Sequence, residues 1–177
     1  EKTSVGMMAC KEALTKSGGN FEEAVRYLRE KGLSSASKKS DRSVNEGRVF
    51  VALAADQTSG VILELNCETD FVSGNSDFIA LGQSLADSVL AAPSIKSVDD
   101  LGAFSATIAD HILKLGENLS VKRFQRFEGQ SGASTYIHMN GKIGVFVTFA
   151  SAIDENLGRD IAMHIAASKP VCIDADE

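Results

Sequence analysis

The sequence predicts an α+β protein: a small N-terminal helical module, then two related α+β subdomains with antiparallel sheets. Three observations carry this reading. The apolar period changes at Gly47, from the 3.6-residue spacing of helices to the dense Val/Ile/Leu runs of strands. Two pairs of such runs flank polar turns, and each pair is followed by a helical pattern. Charge changes sign at the same place: residues 1–48 carry ten basic and seven acidic side chains, net +3, and residues 49–177 carry eight and seventeen, net −9. With 177 residues, 44% of them hydrophobic, the chain is long enough to bury a sizeable core.

Residues 1–46 read as the helical module. A first helix covers about residues 6–16, with Cys10, Ala13 and Leu14 on its inner face. Phe21, Ala24, Val25 and Leu28 then follow the i, i+3, i+4, i+7 spacing of one helix face. Asn20 is placed to cap this helix, with Glu23 completing a capping box and Gly32 ending it. A weaker, Ser-rich third helix is expected over residues 34–46, around Lys38, Lys39 and Arg42. Three short helices of this size resemble a ubiquitin-associated-type bundle.

The first α+β subdomain is expected over residues 47–130. Residues 48–54 and 60–66 form a hairpin across Asp56-Gln57-Thr58-Ser59. One helix aligns Phe78, Leu81, Leu85 and Val89, and another aligns Leu101, Phe104, Ile108, Ile112 and Leu115, with Pro93 in the break. Residues 119–127 return to a strand, whose Lys122, Arg123 and Arg126 read as a solvated edge that blocks edge-to-edge pairing.

The second subdomain is expected over residues 131–177. Residues 135–138 and 143–149 form a hairpin about Asn140-Gly141, a pair well suited to a type I′ turn. A helix with Leu157, Ile161 and Ile165 inward follows. Gly60-Val-Ile-Leu-Glu-Leu and Gly144-Val-Phe-Val-Thr-Phe are similar strands in similar positions, which reads as a degenerate duplication.

Several chemistries are excluded. No apolar run approaches the roughly 18 residues of a membrane helix. Cys10, Cys67 and Cys172 are scattered and form no Cys-x-x-Cys, so neither a zinc site nor a disulfide framework is expected, and a reduced cytoplasmic setting fits best. His111, His138 and His164 have no partner at a catalytic or metal-binding interval. Neither Gly-x-Gly-x-x-Gly nor Gly-x-x-x-x-Gly-Lys-Ser/Thr occurs, so no nucleotide cofactor is expected on this chain. The acidic balance argues against nucleic-acid binding by counterion release.

Three segments resemble the elongation factor Ts family: Leu63-Glu64-Leu65-Asn66-Cys67-Glu68-Thr69-Asp70-Phe71-Val72, Val5-Gly6-Met7-Met8-Ala9-Cys10-Lys11-Glu12-Ala13-Leu14, and Asp160-Ile161-Ala162-Met163-His164-Ile165-Ala166-Ala167-Ser168-Lys169-Pro170. They stand in the family's order and span almost the whole chain. The resemblance implies a ubiquitin-associated-like module, and a nucleotide-exchange factor that promotes GDP release from elongation factor Tu in protein synthesis, with both GDP-bound and nucleotide-free forms as partners. It implies that the Thr69-Asp70-Phe71-Val72 loop wedges beside the partner's magnesium and phosphate site, Phe71 being the inserted aromatic. Met7 and Met8 are implied to touch the partner's nucleotide-binding domain, and His138 another of its domains. Ala9 departs from the acidic residue usual after the Met pair. Long-form relatives continue past the point where this chain stops, so the second subdomain is expected to be incomplete and self-association is an expectation.

On this reading no bond is made or broken by the chain, and it is not an enzyme. The physics is linkage: tighter binding to the nucleotide-free partner weakens nucleotide binding by the same factor. Accelerating release about a thousandfold lowers the barrier by roughly 4 kcal/mol. Burying one Phe contributes roughly 1.5–3 kcal/mol, and together with the magnesium coordination the partner would lose it is of the right order. The alternative is a passive binding scaffold without exchange activity. A hydrolase using Asp70 with a histidine has no supporting motif.

Overall fold

A computed structural model describes residues 5–128 and 131–173. In chain order the elements are α1 (Met7–Lys16), α2 (Phe21–Lys39), β1 (Glu46–Leu53), β2 (Gly60–Cys67), α3 (Asp70–Ser73), α4 (Ser76–Ala91), a 3₁₀ helix (Val98–Phe104), α5 (Ser105–Leu115), β3 (Leu119–Phe127), β4 (Gly132–His138), β5 (Ile143–Phe149) and α6 (Glu155–Ser168). The α+β class and the antiparallel pairing are as expected.

The main core lies between a three-stranded sheet, ordered β1-β2-β3, and α4. Alternation along β2 sends Val61, Leu63, Leu65 and Cys67 to one face, where all four are fully buried. The residues Phe78, Leu81, Leu85 and Val89 of α4 meet them, and Gly82 lets the Phe50 ring sit directly on the helix backbone. Strict alternation would put Val121 and Phe124 of β3 on opposite faces. A bulge in the β2–β3 pairing, where Glu64 opposes Arg123 and Leu65 opposes Val121, leaves Lys122 as the extra residue and turns both toward the core.

The β4–β5 hairpin lies against the sheet's other face. The Phe146 ring covers Gly60, Phe127 stacks on Phe146 with centroids 4.3 Å apart, and Val49 packs at Gly144. The hairpin's outer side is covered by α6. Each sheet therefore has a hairpin followed by a helix that packs upon it, which is the arrangement a duplication would give.

Several expectations are corrected. Among the described residues the N-terminal region has two helices, not three: α2 runs through Gly32 to Lys39, and no helix covers residues 40–45. Gly32 does not stop the helix because it serves packing. It is buried against α5, and a Cβ there would stand 3.4 Å from the Ala109 carbonyl oxygen. Asn20 does cap α2, accepting from the Glu22 and Glu23 amides at 3.0 and 3.2 Å, but its own amide goes to the Ser17 carbonyl, where the capping box would have put Glu23. Leu14 and Phe21 are exposed; Ala13, Ala24 and Leu28 form the small core instead.

The single helix expected through Leu101–Leu115 is a 3₁₀ turn followed by α5, and its last residues are closed by Gly116 in the left-handed region (φ 81°). The Asn140-Gly141 type I′ turn is replaced by a four-residue connection between His138 and Ile143, with positive φ at Met139 and Gly141. In α6 the inward face is Gly158, Ala162 and Ala166; Leu157 is exposed, since only small residues fit where the helix lies close on β4 at Ser134.

Arg126 is not a solvated edge. Its guanidinium turns under the sheet and donates to the carbonyls of Val89, Leu90 and Ala92, capping the C-terminus of α4 where a cation is favoured.

Candidate functional site

The sequence-predicted loop is a short, strongly held projection. Thr69 is the N-cap of α3: its backbone is extended, and its hydroxyl accepts from the Val72 amide at 3.4 Å. Val72 leans on the main core and Ser73 is buried, its hydroxyl donating to the Asp70 carbonyl at 2.9 Å. The two residues between, Asp70 and Phe71, face solvent; Phe71 is 86% exposed. An aromatic ring standing free on a one-turn helix gains nothing for its own fold.

Beneath the loop sits Glu117, in the connection from α5 to β3. One carboxylate oxygen accepts from the Glu68 and Thr69 amides, both at 3.0 Å, and the other accepts from the Thr69 hydroxyl at 2.6 Å. Glu68 returns the contact, accepting from the Asn118 amide at 2.7 Å. Asn118 is buried and donates to the carbonyls of Ser40 and Arg42, and Lys39 donates to the Gly116 carbonyl at 2.6 Å. Burial, with Arg42 adding, holds the Lys39 amine below its usual range. Cys67, fully buried under the loop, donates to the Thr69 carbonyl at 3.1 Å. Burial first, and then the Glu117 charge, push its thiol up to about 11.

Met7 and Met8 occupy the first turn of α1, 85% and 76% exposed. The helix behind them is fixed on α2 by Glu12, which accepts from Lys31 at 2.6 Å and from the Tyr27 hydroxyl at 2.8 Å. The Lys31 and Tyr27 hydrogen bonds hold the Glu12 carboxyl below the ordinary range. The path from the Met pair to the loop is indirect: α1 on α2, α2 on α5, and α5 into residues 116–118.

His138 ends β4 half-buried, with Nδ1 3.2 Å from the Tyr136 hydroxyl. The turn after it is tied to the loop through Arg48. The Arg48 Nε donates to the Ser73 carbonyl, its aliphatic stem packs at Gly141, and the Val49 amide donates to the Gly141 carbonyl at 2.7 Å. His111 and His164 bond within their own helices, to the Thr107 carbonyl and the Ser168 hydroxyl. Among the described residues no group of three or more His, Cys, Asp or Glu could hold a metal ion, and no helix is long and apolar enough to cross a membrane.

Sequence reasoning missed Glu117, Asn118 and Arg48. Their roles depend on contacts 25 to 78 residues away along the chain, which no local period encodes. The nearest signal was the polar Gly116-Glu117-Asn118 between a helix pattern and a strand pattern.

A family model described as "Elongation factor TS" matches residues 68–177, which include this loop, its Glu117 support, the second hairpin and α6. The chain belongs to the elongation factor Ts family. Similar proteins named "Elongation factor Ts" include those of Methylococcus capsulatus (44% identical, covering 98% of this chain and 61% of the relative), Halorhodospira halophila (42%, covering 100% and 62%) and Clostridium botulinum strain Alaska E43 (40%, covering 100% and 62%). The chain thus spans a little over three fifths of the length of these elongation factor Ts relatives.

Proposed function

We propose that this chain acts as a guanine-nucleotide exchange factor for elongation factor Tu in translation, binding its GDP-bound and nucleotide-free forms in the cytoplasm. The observation that carries the reading is Phe71: a large, rigid, uncharged ring, almost fully exposed, on a turn whose backbone is fixed from below. Inserted beside the partner's magnesium and phosphate site, it would bury apolar area worth roughly 1.5–3 kcal/mol. That energy is available in full to the nucleotide-free complex and not to the GDP-bound one, so linkage makes it weaken GDP binding. Asp70 supplies a negative group next to the wedge, and Thr69 and Val72 anchor it. Met7 and Met8 offer an adaptable thioether surface to the partner's nucleotide-binding domain. His138 and its turn meet a second domain. No covalent step is involved, and the chain is no enzyme in that sense.

We assign residues 1–46, 47–130 and 131–177 as the ubiquitin-associated-like module and the two subdomains. Exposed Leu157 and Met163 on α6 favour self-association at that end.

The test is release of labelled GDP from elongation factor Tu. Catalytic amounts of the chain are expected to accelerate release, and the Phe71→Ala protein to accelerate it at least tenfold less. A passive scaffold would bind and leave the rate unchanged.

A further inference from the structure

We propose that Glu117 is a positioning residue for exchange, a clamp that holds the Thr69-Asp70-Phe71-Val72 turn in its projecting form without touching the partner. The activity part of this proposal rests on the exchange reading above; the clamp itself rests on geometry alone.

Val72 and Ser73 anchor the end of the loop, but its entry and tip have little of their own to hold them. The α3 helix is four residues long, too short to be stable by its own hydrogen bonds. Its two most exposed residues, Asp70 and Phe71, contribute no burial. Val72, Ser73 and Arg48 secure the far end of the loop. What fixes its entry is the Glu117 carboxylate, which takes three donors from two consecutive residues: the amides of Glu68 and Thr69, and the Thr69 hydroxyl. A charged acceptor makes each of these stronger than a neutral one would.

The hydroxyl bond also sets a direction. With its O–H donated to the Glu117 carboxylate, Thr69 Oγ1 must present a lone pair to the Val72 amide, which is the cap that starts α3. Glu117 therefore acts twice, on the backbone before the turn and on the cap that forms it.

Glu117 is itself held in place. Gly116 before it closes α5 in the left-handed region and accepts from Lys39. Asn118 after it is buried, bonded to Ser40 and Arg42, and its amide is taken by Glu68. Glu68 and Glu117 thus hold each other's neighbouring backbone. The loop is braced from a segment that also anchors the end of α2.

The experiment compares the full chain with Glu117→Ala, Glu117→Gln and Phe71→Ala. Hydrogen exchange is the first readout. The amides of Glu68, Thr69 and Val72 are expected to exchange at least tenfold faster in Glu117→Ala, with Val61–Leu65 of β2 unchanged. Glu117→Gln keeps one acceptor oxygen and is expected to fall between. Unchanged protection of Glu68 and Thr69 in Glu117→Ala overturns the clamp. If Glu117→Ala loses β2 protection as well, Glu117→Gln decides by the same criterion.

Exchange kinetics with elongation factor Tu are the second readout. Glu117→Ala is expected to lower the maximal rate of GDP release about tenfold, with the half-saturating concentration within threefold of wild type, because the Met7–Met8 surface is intact. Partial recovery in Glu117→Gln supports positioning; a full maximal rate with a loosened loop overturns it. Should the wild-type chain itself fail to accelerate release, the exchange reading fails, and amide protection still decides the clamp.

Discussion

Gly60 lies directly beneath the ring of Phe146, so close that a Cβ at this position would overlap the ring. The first residue of β2 thereby becomes the seat on which the second hairpin rests. The ring cannot simply swing away, since Phe127 is stacked on it at an interplanar angle of 8°. Gly60→Ala is expected to destabilise the protein by about 1–3 kcal/mol, the usual cost of overpacking. Denaturant titration measures this, and adding Phe146→Leu should recover part of the loss. A neutral Gly60→Ala would show that the hairpin does not bear on this residue.

Phe71→Ala is expected to leave stability within about 0.5 kcal/mol of wild type, as for an exposed side chain away from special backbone positions. The check is thermal unfolding beside the GDP-release assay. A loss of several kcal/mol would mark Phe71 as a core aromatic and remove the wedge from consideration.

The pair Met7→Ala and Met8→Ala is expected to weaken binding to elongation factor Tu about tenfold while shifting stability by less than about 0.5 kcal/mol. Both side chains are exposed while Ala13 behind them is fully buried, so only the outer surface changes. Titration calorimetry with nucleotide-free elongation factor Tu reads the affinity. Unaltered affinity would place the contact elsewhere.

Cys67 predicts a pH dependence. Its thiol ordinarily titrates near 9.0 and is pushed to about 11 in the fold, so the folded chain keeps a proton that the unfolded chain releases. This contribution is fully present below pH 9 and is lost between about 9 and 11, at up to roughly 1.4 kcal/mol per pH unit. Lysines and tyrosines titrate in the same range, so the measured quantity is the difference between wild type and Cys67→Ala. A difference that stays flat from pH 8 to 11 would contradict the burial argument.

Hydrogen exchange should be faster in Ile143–Phe149 than in Gly60–Cys67. On β2 alternate side chains are wholly buried, whereas no residue of β5 is fully buried. Equal protection in a demonstrated monomer would mean that the two sheets seal each other fully.

How much of this was legible follows from where the information lies. The strands and α4 are dictated locally: Val61, Leu63 and Leu65 alternate, and Phe78, Leu81, Leu85 and Val89 recur at helical spacing, so period alone finds them. Gly32 misled because glycine has two uses, stopping a helix and letting one approach a neighbour, and only the neighbour decides. Arg126 read as an edge charge because the α4 terminus it caps lies more than 30 residues earlier. Of the candidate site, the loop residues were readable from their motif. The exposure of Phe71 followed only from the family resemblance, and the support from Glu117 was not readable, since it depends on what the fold places around the loop.

Arg48 holds the Ser73 carbonyl with its head and carries Gly141 on its stem, so the span between the Phe71 tip and the turn after His138 is gauged by the length of one side chain. Two projections far apart in sequence behave as the jaws of a single caliper. Lysine at this position would keep the charge but lose the Nε–H donor and the planar geometry that set the opening. Any partner that must grip both jaws at once is in effect measuring Arg48.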